Sequence, residues 1–290
     1  MDSRCRGSDH ARQQTTQGFR MEETRVTRTG VIGLGAMGHQ MARHLLKAGF
    51  EVVGTDVDPI AAARAESIGV RVRGSAGEVA RAAEVVLVMV QTDEQVEAVV
   101  AGLLGPLARG SVICIASSVS PDLCRRLAEE AGRRGVGVLD TPVVLGQEAA
   151  NNGTLTIYVG GEEKWLARAR PALQAFSAQV LHLGPPGSGQ IAKTINNLLL
   201  WACMTANFEA LSLAKQLGAD IPRLVEALGH GSGANWSLSR WGKSTGKWSE
   251  KDMDVALDLA QAAKVPLPLL GLVDQLVKSL NQERMKALLA

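Results

Sequence analysis

Lys193, Asn196 and Asn197, in the segment GSGQIAKTINN, are the residues best suited to proton chemistry. Their spacing of i, i+3 and i+4 puts all three on one face of a helix. A strongly apolar stretch, 198–201, follows directly. A lysine on such a face is often a solvated surface residue. Two asparagines beside it, immediately after a Gly/Pro-rich break in the chain, point instead to a cleft between domains, where ligands bind. A lysine in such a cleft can take a proton from an alcohol or return one to a carbonyl. It does so when burial or a nearby cation lowers its pKa toward the working pH. Asn197, one turn on, would orient the substrate or the lysine by hydrogen bonds.

A second group of residues suits a phosphate ligand. Gly33-Leu34-Gly35-Ala36-Met37-Gly38 has the pattern G-x-G-x-x-G and lies between an apolar run and a helical pattern. Gly33 permits a tight turn, Gly35 lets the backbone approach a pyrophosphate, and Gly38 lets helix and strand pack closely. The helix start supplies N–H groups and positive dipole. Asp56 ends the next apolar run, about 20 residues on, where a carboxylate accepts hydrogen bonds from the adenosine ribose. Its charge disfavours a 2′-phosphate, Val57 follows it, and no arginine is adjacent. NAD is therefore expected over NADP, with NADP the alternative. A turn with no ligand is the structural alternative for the glycines alone; the acid placed after them argues against it.

Positioning these residues requires alternating strands and helices. Strands are predicted over 29–34, 51–55, 85–90, 111–115 and 136–139, with helices over 36–48, 59–68, 94–104 and 121–134. Such alternation means βαβ units and a mostly parallel, doubly wound sheet, the Rossmann arrangement. A strand over 154–159, a helix over 162–176 and a short strand over 179–183 complete this domain. Gly184-Pro185-Pro186-Gly187 marks the boundary. Beyond it the pattern is all-helical, with one long helix over 190–217 and others over 221–228, 251–263 and 267–289. The stretch 229–250 reads as a loop. The expected units are a tail over 1–27, a dinucleotide-binding domain over 28–186 and an all-α domain over 187–290. So long and apolar a helix cannot bury every face in a small helical domain, so a homodimer or homotetramer is expected.

Composition agrees with this plan. The 290 residues are 46% hydrophobic but only 3% aromatic, which favours Ala, Val, Leu and Ile helices on a parallel sheet over a β-sandwich. With 31 basic and 29 acidic residues, the net charge of +2 gives no case for nucleic acid as a partner. Cys5, Cys114, Cys124 and Cys203 form no Cys-x-x-Cys pair and join no histidine cluster, so reduced thiols and no metal site are expected. No uninterrupted apolar stretch of about 18 residues is present, and the polar N-terminus lacks a secretory apolar run. A cytoplasmic protein without a membrane partner is expected. The first residues read as an extension ahead of Met21.

Four segments together are more specific than any single motif: VIGLGAMGHQMARHLLKAG, DTPVVLGQEAANNGTLTIYVGG, GSGQIAKTINN and KDMDVALDLAQAAKVPLPL. On these the chain resembles the β-hydroxyacid dehydrogenases, the family of 3-hydroxyisobutyrate dehydrogenase and tartronate semialdehyde reductase, related to 6-phosphogluconate dehydrogenase. The likeness runs from about Gly30 to the C-terminus. It implies hydride transfer between a nicotinamide cofactor and a small 3-hydroxyacid or its semialdehyde. Lys193 would be the catalytic lysine and Asn197 the substrate-orienting asparagine, with Asn196 beside it. The backbone around Gly146 would face the substrate carboxylate. Lys251 would reach both cofactor and substrate, and its charge would help lower the pKa of Lys193. Val90, Gln91 and Gln95 would lie beside the dinucleotide, and Ser118 beside the nicotinamide and substrate.

The sequence departs from the family pattern at several points. The Ser-Gly-Gly substrate loop reads Val144-Leu145-Gly146, which removes a hydroxyl that would bind a carboxylate. Ile115 stands where an aspartate usually precedes the Ser-Thr pair. The segment between Trp236 and Lys251 is short, which predicts a more open site. Two other readings draw on these features. Imine reductases share the two-domain plan and use NADPH, but they generally replace the lysine that Lys193 retains. A cofactor-binding scaffold with little turnover would bind NADH and convert nothing.

Overall fold

The computed structural model describes residues 26–243, 246 and 248–289. Most of the predicted tail, with Cys5 and Met21, therefore lies outside the described residues. Val26, within the stretch expected to be tail, is instead buried in the core.

The chain runs β1 (Arg28–Ile32), α1 (Ala36–Lys47), β2 (Glu51–Thr55), α2 (Pro59–Glu66), β3 (Arg71–Val72), α3 (Ala76–Ala82), β4 (Val85–Val88), α4 (Asp93–Leu104), β5 (Val112–Ile115), α5 (Pro121–Arg133) and β6 (Gly137–Asp140). Then follow β7 (Val143–Val144), α6 (Gly146–Asn152), β8 (Leu155–Gly160), α7 (Glu163–Gln174) and β9 (Ser177–Gly184). The remainder is helical: α8 (Ser188–Gln216), α9 (Ile221–Leu228), α10 (Trp236–Ser239), α11 (Ser249–Ala263), α12 (Pro268–Val277) and α13 (Gln282–Ala287).

The sheet order is β3-β2-β1-β4-β5-β6-β8-β7, with β9 added on β8. β1 to β6 pair in parallel, whereas β8 meets β6 and β7 antiparallel. The fold is a doubly wound Rossmann sheet followed by an all-α region. Its central strands are short valine- and isoleucine-rich runs buried on both faces. Alternation along each strand divides the core. Leu87 and Cys114 point to the side covered by α1 and α7, while Val86, Val88, Ile113 and Ile115 point to the side covered by α3, α4 and α5. The order reverses between β1 and β4, so a crevice forms at the carboxyl ends of those strands, beside the turn that starts at Gly33.

Several predicted elements differ in extent. β1 stops at Ile32 because Gly33 takes a positive φ of 89° to begin the turn. β4 stops at Val88, and the Val90 N–H leaves the ladder to donate to Ser117 Oγ at 2.8 Å. The helix predicted over 267–289 is two helices. Asn281 adopts an extended backbone and caps the second, accepting from Arg284 N at 2.9 Å. The predicted loop 229–250 contains α10, capped by Asn235 through Leu238 N at 3.0 Å, and the start of α11. The elements β3, α3, β7 and α6 were not expected.

The helical region has its own core, in which Trp201, Met204 and Leu211 of α8 meet Met253 of α11 and Val273 of α12. α8 also leaves Ile191, Ile195 and Leu199 exposed at successive turns. Among the described residues no helix is long and apolar enough to cross a membrane, and no group of three metal-ligating side chains occurs.

Candidate active site

The glycine turn has the shape of a phosphate cradle. A Cβ on Gly33 would lie 2.1 Å from Met89 O, and one on Gly38 would lie 1.8 Å from Gly33 O. Both positions are closed by the protein itself. Gly35 differs: its φ is an ordinary −62°, and a Cβ there would meet nothing within 4 Å. Nothing in the fold requires glycine at this position, whereas a ligand lying on the backbone would. Gly35 is also the N-cap of α1 and caps it with no side chain, so the first N–H groups, around Ala36 and Met37, are left to such a ligand. The residues present therefore fit a dinucleotide pyrophosphate.

Asp56 stands at the mouth of this turn. Its Oδ2 accepts from Leu34 N at 2.5 Å and its Oδ1 from Asp58 N at 2.8 Å. Each oxygen keeps acceptor capacity for a ribose hydroxyl. Across the crevice, Val90 and Gln91 follow β4. The Gln95 side chain accepts from Gln91 N at 2.8 Å, so its carbonyl closes this loop.

The two halves of the chain meet at the end of β6. Asp140 is fully buried and accepts from Gly187 N at 2.7 Å and Gln190 N at 3.0 Å, gripping the first turn of α8. Burial pushes its carboxyl above the usual range, and the backbone donors pull it back. Gln190, also buried, donates to Ser117 O at 2.7 Å and accepts from Val119 N at 3.3 Å. α8 is thus pinned to the sheet, and Lys193 projects one turn further along it.

Lys193 lines a narrow cleft with Ser118, Val119, Asn197, Lys251 and Asp252. Its ammonium donates to Val143 O at 2.9 Å. Burial lowers its pKa, and the Asp252 carboxylate opposes that shift. Asp252 is raised by its own burial; Lys193 opposes this, followed by the Trp201 and Asn197 side chains and Lys251. The Trp201 indole N–H donates to Asp252 Oδ2 at 3.1 Å. Nothing in the residue pattern around Asp252 points to this part. It is the second residue of the Lys-Asp dipeptide, of which only the lysine was assigned.

The Lys251 ammonium reaches across the cleft to Gln91 O at 2.6 Å, and its charge bears on Asp252. Asn196 does not line the cleft. It accepts from the Tyr158 hydroxyl of β8 at 3.4 Å and donates to Asn197 Oδ1 at 3.0 Å. Gly146 opens α6 with a φ of 72°, and the residue before it, Leu145, is also left-handed at 81°. Cys114 and Cys124 are buried, and burial pushes Cys114 up to about 12 and raises Cys124 as well.

The family described as the NAD binding domain of 6-phosphogluconate dehydrogenase matches residues 28–184. That described as NAD-binding of NADP-dependent 3-hydroxyisobutyrate dehydrogenase matches residues 187–288. The 3-hydroxyisobutyrate dehydrogenase of Pseudomonas aeruginosa is 36% identical over 264 residues, covering 84% of this chain and 89% of its own. The chain belongs to the 3-hydroxyisobutyrate dehydrogenase family. An NAD-dependent L-serine dehydrogenase of the same organism is 34% identical, over 87% of this chain and 91% of its own. Among solved structures, a 3-hydroxyisobutyrate dehydrogenase from Mycobacterium tuberculosis with L-serine superposes with a TM-score of 0.83 at 29% identity. It covers 91% of this chain and all of that one. Members of this family are NAD(P)-dependent oxidoreductases of small hydroxyacids or semialdehydes, and this general capacity is that of the chain described here.

Proposed function

We propose that the protein is an NAD-dependent dehydrogenase of small 3-hydroxyacids or the matching semialdehyde reductase, with Lys193 as general acid and base. The observation that carries this reading is the desolvated Lys193 amine, held in the cleft beside Ser118, Asn197 and Lys251. A bound nicotinamide dinucleotide supplies the hydride acceptor or donor. The neutral Lys193 amine takes the hydroxyl proton of the acid, and the ammonium returns it when the aldehyde is reduced. Asn197 orients the hydroxyl. Lys251, tied to Gln91 O, holds the mouth of the cleft against the dinucleotide side. Gly35 and the bare start of α1 favour the pyrophosphate, and Asp56 favours an unphosphorylated ribose. The exposed Ile191, Ile195 and Leu199 stripe supports association of the chain with itself.

The test is a spectrophotometric panel following reduced nicotinamide. It offers NAD and NADP with 3-hydroxyisobutyrate, L-serine, glycerate and 4-hydroxybutyrate, and the reduced cofactors with the aldehydes. Turnover of one acid with NAD bears out the reading. Binding of NADH with no turnover across the panel rejects it.

A further inference from the structure

Lys193, Asn197 and Trp201 stand at i, i+4 and i+8 along one ridge of α8. All three side chains bear on Asp252 of α11. Trp201 is only 5% exposed, with its ring in the helical core beside Met253. Its indole N–H donates to Asp252 Oδ2 at 3.1 Å. A buried indole N–H needs an acceptor, and a backbone carbonyl is enough. In the same core the Trp241 indole donates to Met285 O at 3.1 Å. Trp201 meets a carboxylate instead, in the wall of the Lys193 cleft, although burying an anion is costly. Satisfying the indole accounts for the Trp241 bond; it does not account for this pair.

The kind of donor matters. An indole N–H only donates and does not titrate in the working range of pH, whereas serine, asparagine or histidine could also accept a proton from a neutral carboxyl. Trp201 therefore favours the ionised form of Asp252 through a charge-assisted hydrogen bond. Asp252 also lies in the first turn of α11, where the helix dipole favours negative charge. The charged groups that bear on it are Lys193 of α8 and its own neighbour Lys251. The turn after β5 lines the same cleft with the uncharged Ser118 and Val119.

We infer that Trp201 is a positioning residue of the active site, whose indole holds Asp252 in place as the anionic counter-ion of Lys193. The inference deepens the dehydrogenase reading. It rests on that reading for its rate profiles and not for its labelling test. Trp201 touches neither substrate nor cofactor; it acts through Asp252, and Asp252 acts on the proton that Lys193 gives or takes.

The experiment compares wild type with Trp201→Phe, which keeps an apolar ring and loses the N–H. It adds Trp201→Gln, which loses the ring and keeps an N–H the same number of bonds from the backbone. Two curves are recorded against pH. One is the oxidation rate with whichever hydroxyacid of the panel is turned over. The other is acetylation of Lys193 by trace acetic anhydride, followed by peptide mass. Both need the neutral amine. In Trp201→Phe the carboxylate loses a donor and supports the ammonium less, so both curves should move to lower pH, whatever the height of the plateau. Trp201→Gln should lie nearer wild type although it melts lower. With Asp252→Asn already in place, Trp201→Phe should move neither curve further. A Trp201→Phe curve that coincides with wild type, or a shift that persists in full beside Asp252→Asn, overturns the inference and leaves the dehydrogenase reading intact. If NADH binds and nothing is turned over, that reading fails and the labelling curves alone decide. Should Trp201→Phe not fold, the isotope-labelled indole of the wild type decides by nuclear magnetic resonance. Its N–H signal should move at the labelling midpoint of Lys193; a signal that does not respond there overturns the inference.

Discussion

Lys193 and Asp252 face one another between α8 and α11, and burial opposes the charge on each while each supports the charge on the other. The amine is poised between two demands: dehydration favours its neutral form, and the carboxylate keeps a proton available.

Asp252→Asn follows from this pairing. Alcohol oxidation needs the neutral amine, so its rate rises with pH through the pKa of Lys193. Asparagine removes the charge that favours the ammonium but keeps an acceptor for the Trp201 indole. The rising limb of the oxidation profile should move to lower pH, and the limb for aldehyde reduction should fall away sooner. A pH–rate profile that stays in place would remove Asp252 from the control of Lys193.

Lys193→Ala should cut turnover by about 10²–10⁴-fold, the usual range for general acid–base groups. NADH binding, followed by fluorescence, should remain nearly intact, since the cradle lies on other elements. Wild-type turnover in this variant would exclude Lys193 from the proton transfer.

The glycines of the turn separate ligand binding from folding. Gly35→Ser should leave the melting temperature close to wild type, because its Cβ meets open space and serine caps a helix at least as well as glycine, and should weaken NADH binding. Gly38→Ala should instead destabilise by roughly 1–3 kcal/mol or more, since its Cβ would overlap Gly33 O. Thermal melts and fluorescence titrations on the same two proteins check both halves.

Cofactor choice is tested at Asp56. Asp56→Ala removes the carboxylate expected to hold the ribose and to repel a 2′-phosphate. The preference for NAD over NADP should shrink, read as the ratio of their kcat/KM values. An unchanged ratio assigns that choice to other residues.

Asp140 is the test of how α8 is held. Asp140→Ala leaves the buried Gly187 and Gln190 N–H groups without their acceptor, at roughly 1–3 kcal/mol each. The burial cost of the carboxylate offsets part of this. Chemical denaturation should show a clear net loss, together with a loss of turnover larger than the loss of NADH binding.

The glycine turn, the central strands and the long helix were legible in the sequence because each rests on a local rule. These are positive φ and close approach at glycines, buried valine runs, and one uninterrupted helical period. β3 and β7 are two residues long and carry no period. α6 starts from a left-handed leucine, where the usual turn residues give no warning. Apolar spacing continues across Asn281, which hid the break between α12 and α13 although the asparagine itself is a capping residue. Asp252 was illegible for another reason. Its partners Lys193 and Trp201 lie on a different helix, and only tertiary packing brings them together.

The clamp formed by Asp140 and Gln190 moves the functional seam of the molecule. By chain order Lys193 belongs to the helical half, yet it is mechanically part of the sheet, fixed through Ser117, Val119 and Asp140. A chimera joined at Pro185-Pro186 would graft a foreign lysine helix onto a socket built for this one. A crossover after Leu217 would carry Lys193 with its socket but exchange α11, and with it Lys251 and Asp252 of the same cleft. Lys193 and its socket are therefore inherited together only when the junction lies beyond α8, not at the glycine–proline turn that divides the sequence, and the whole cleft is inherited only with α11 as well.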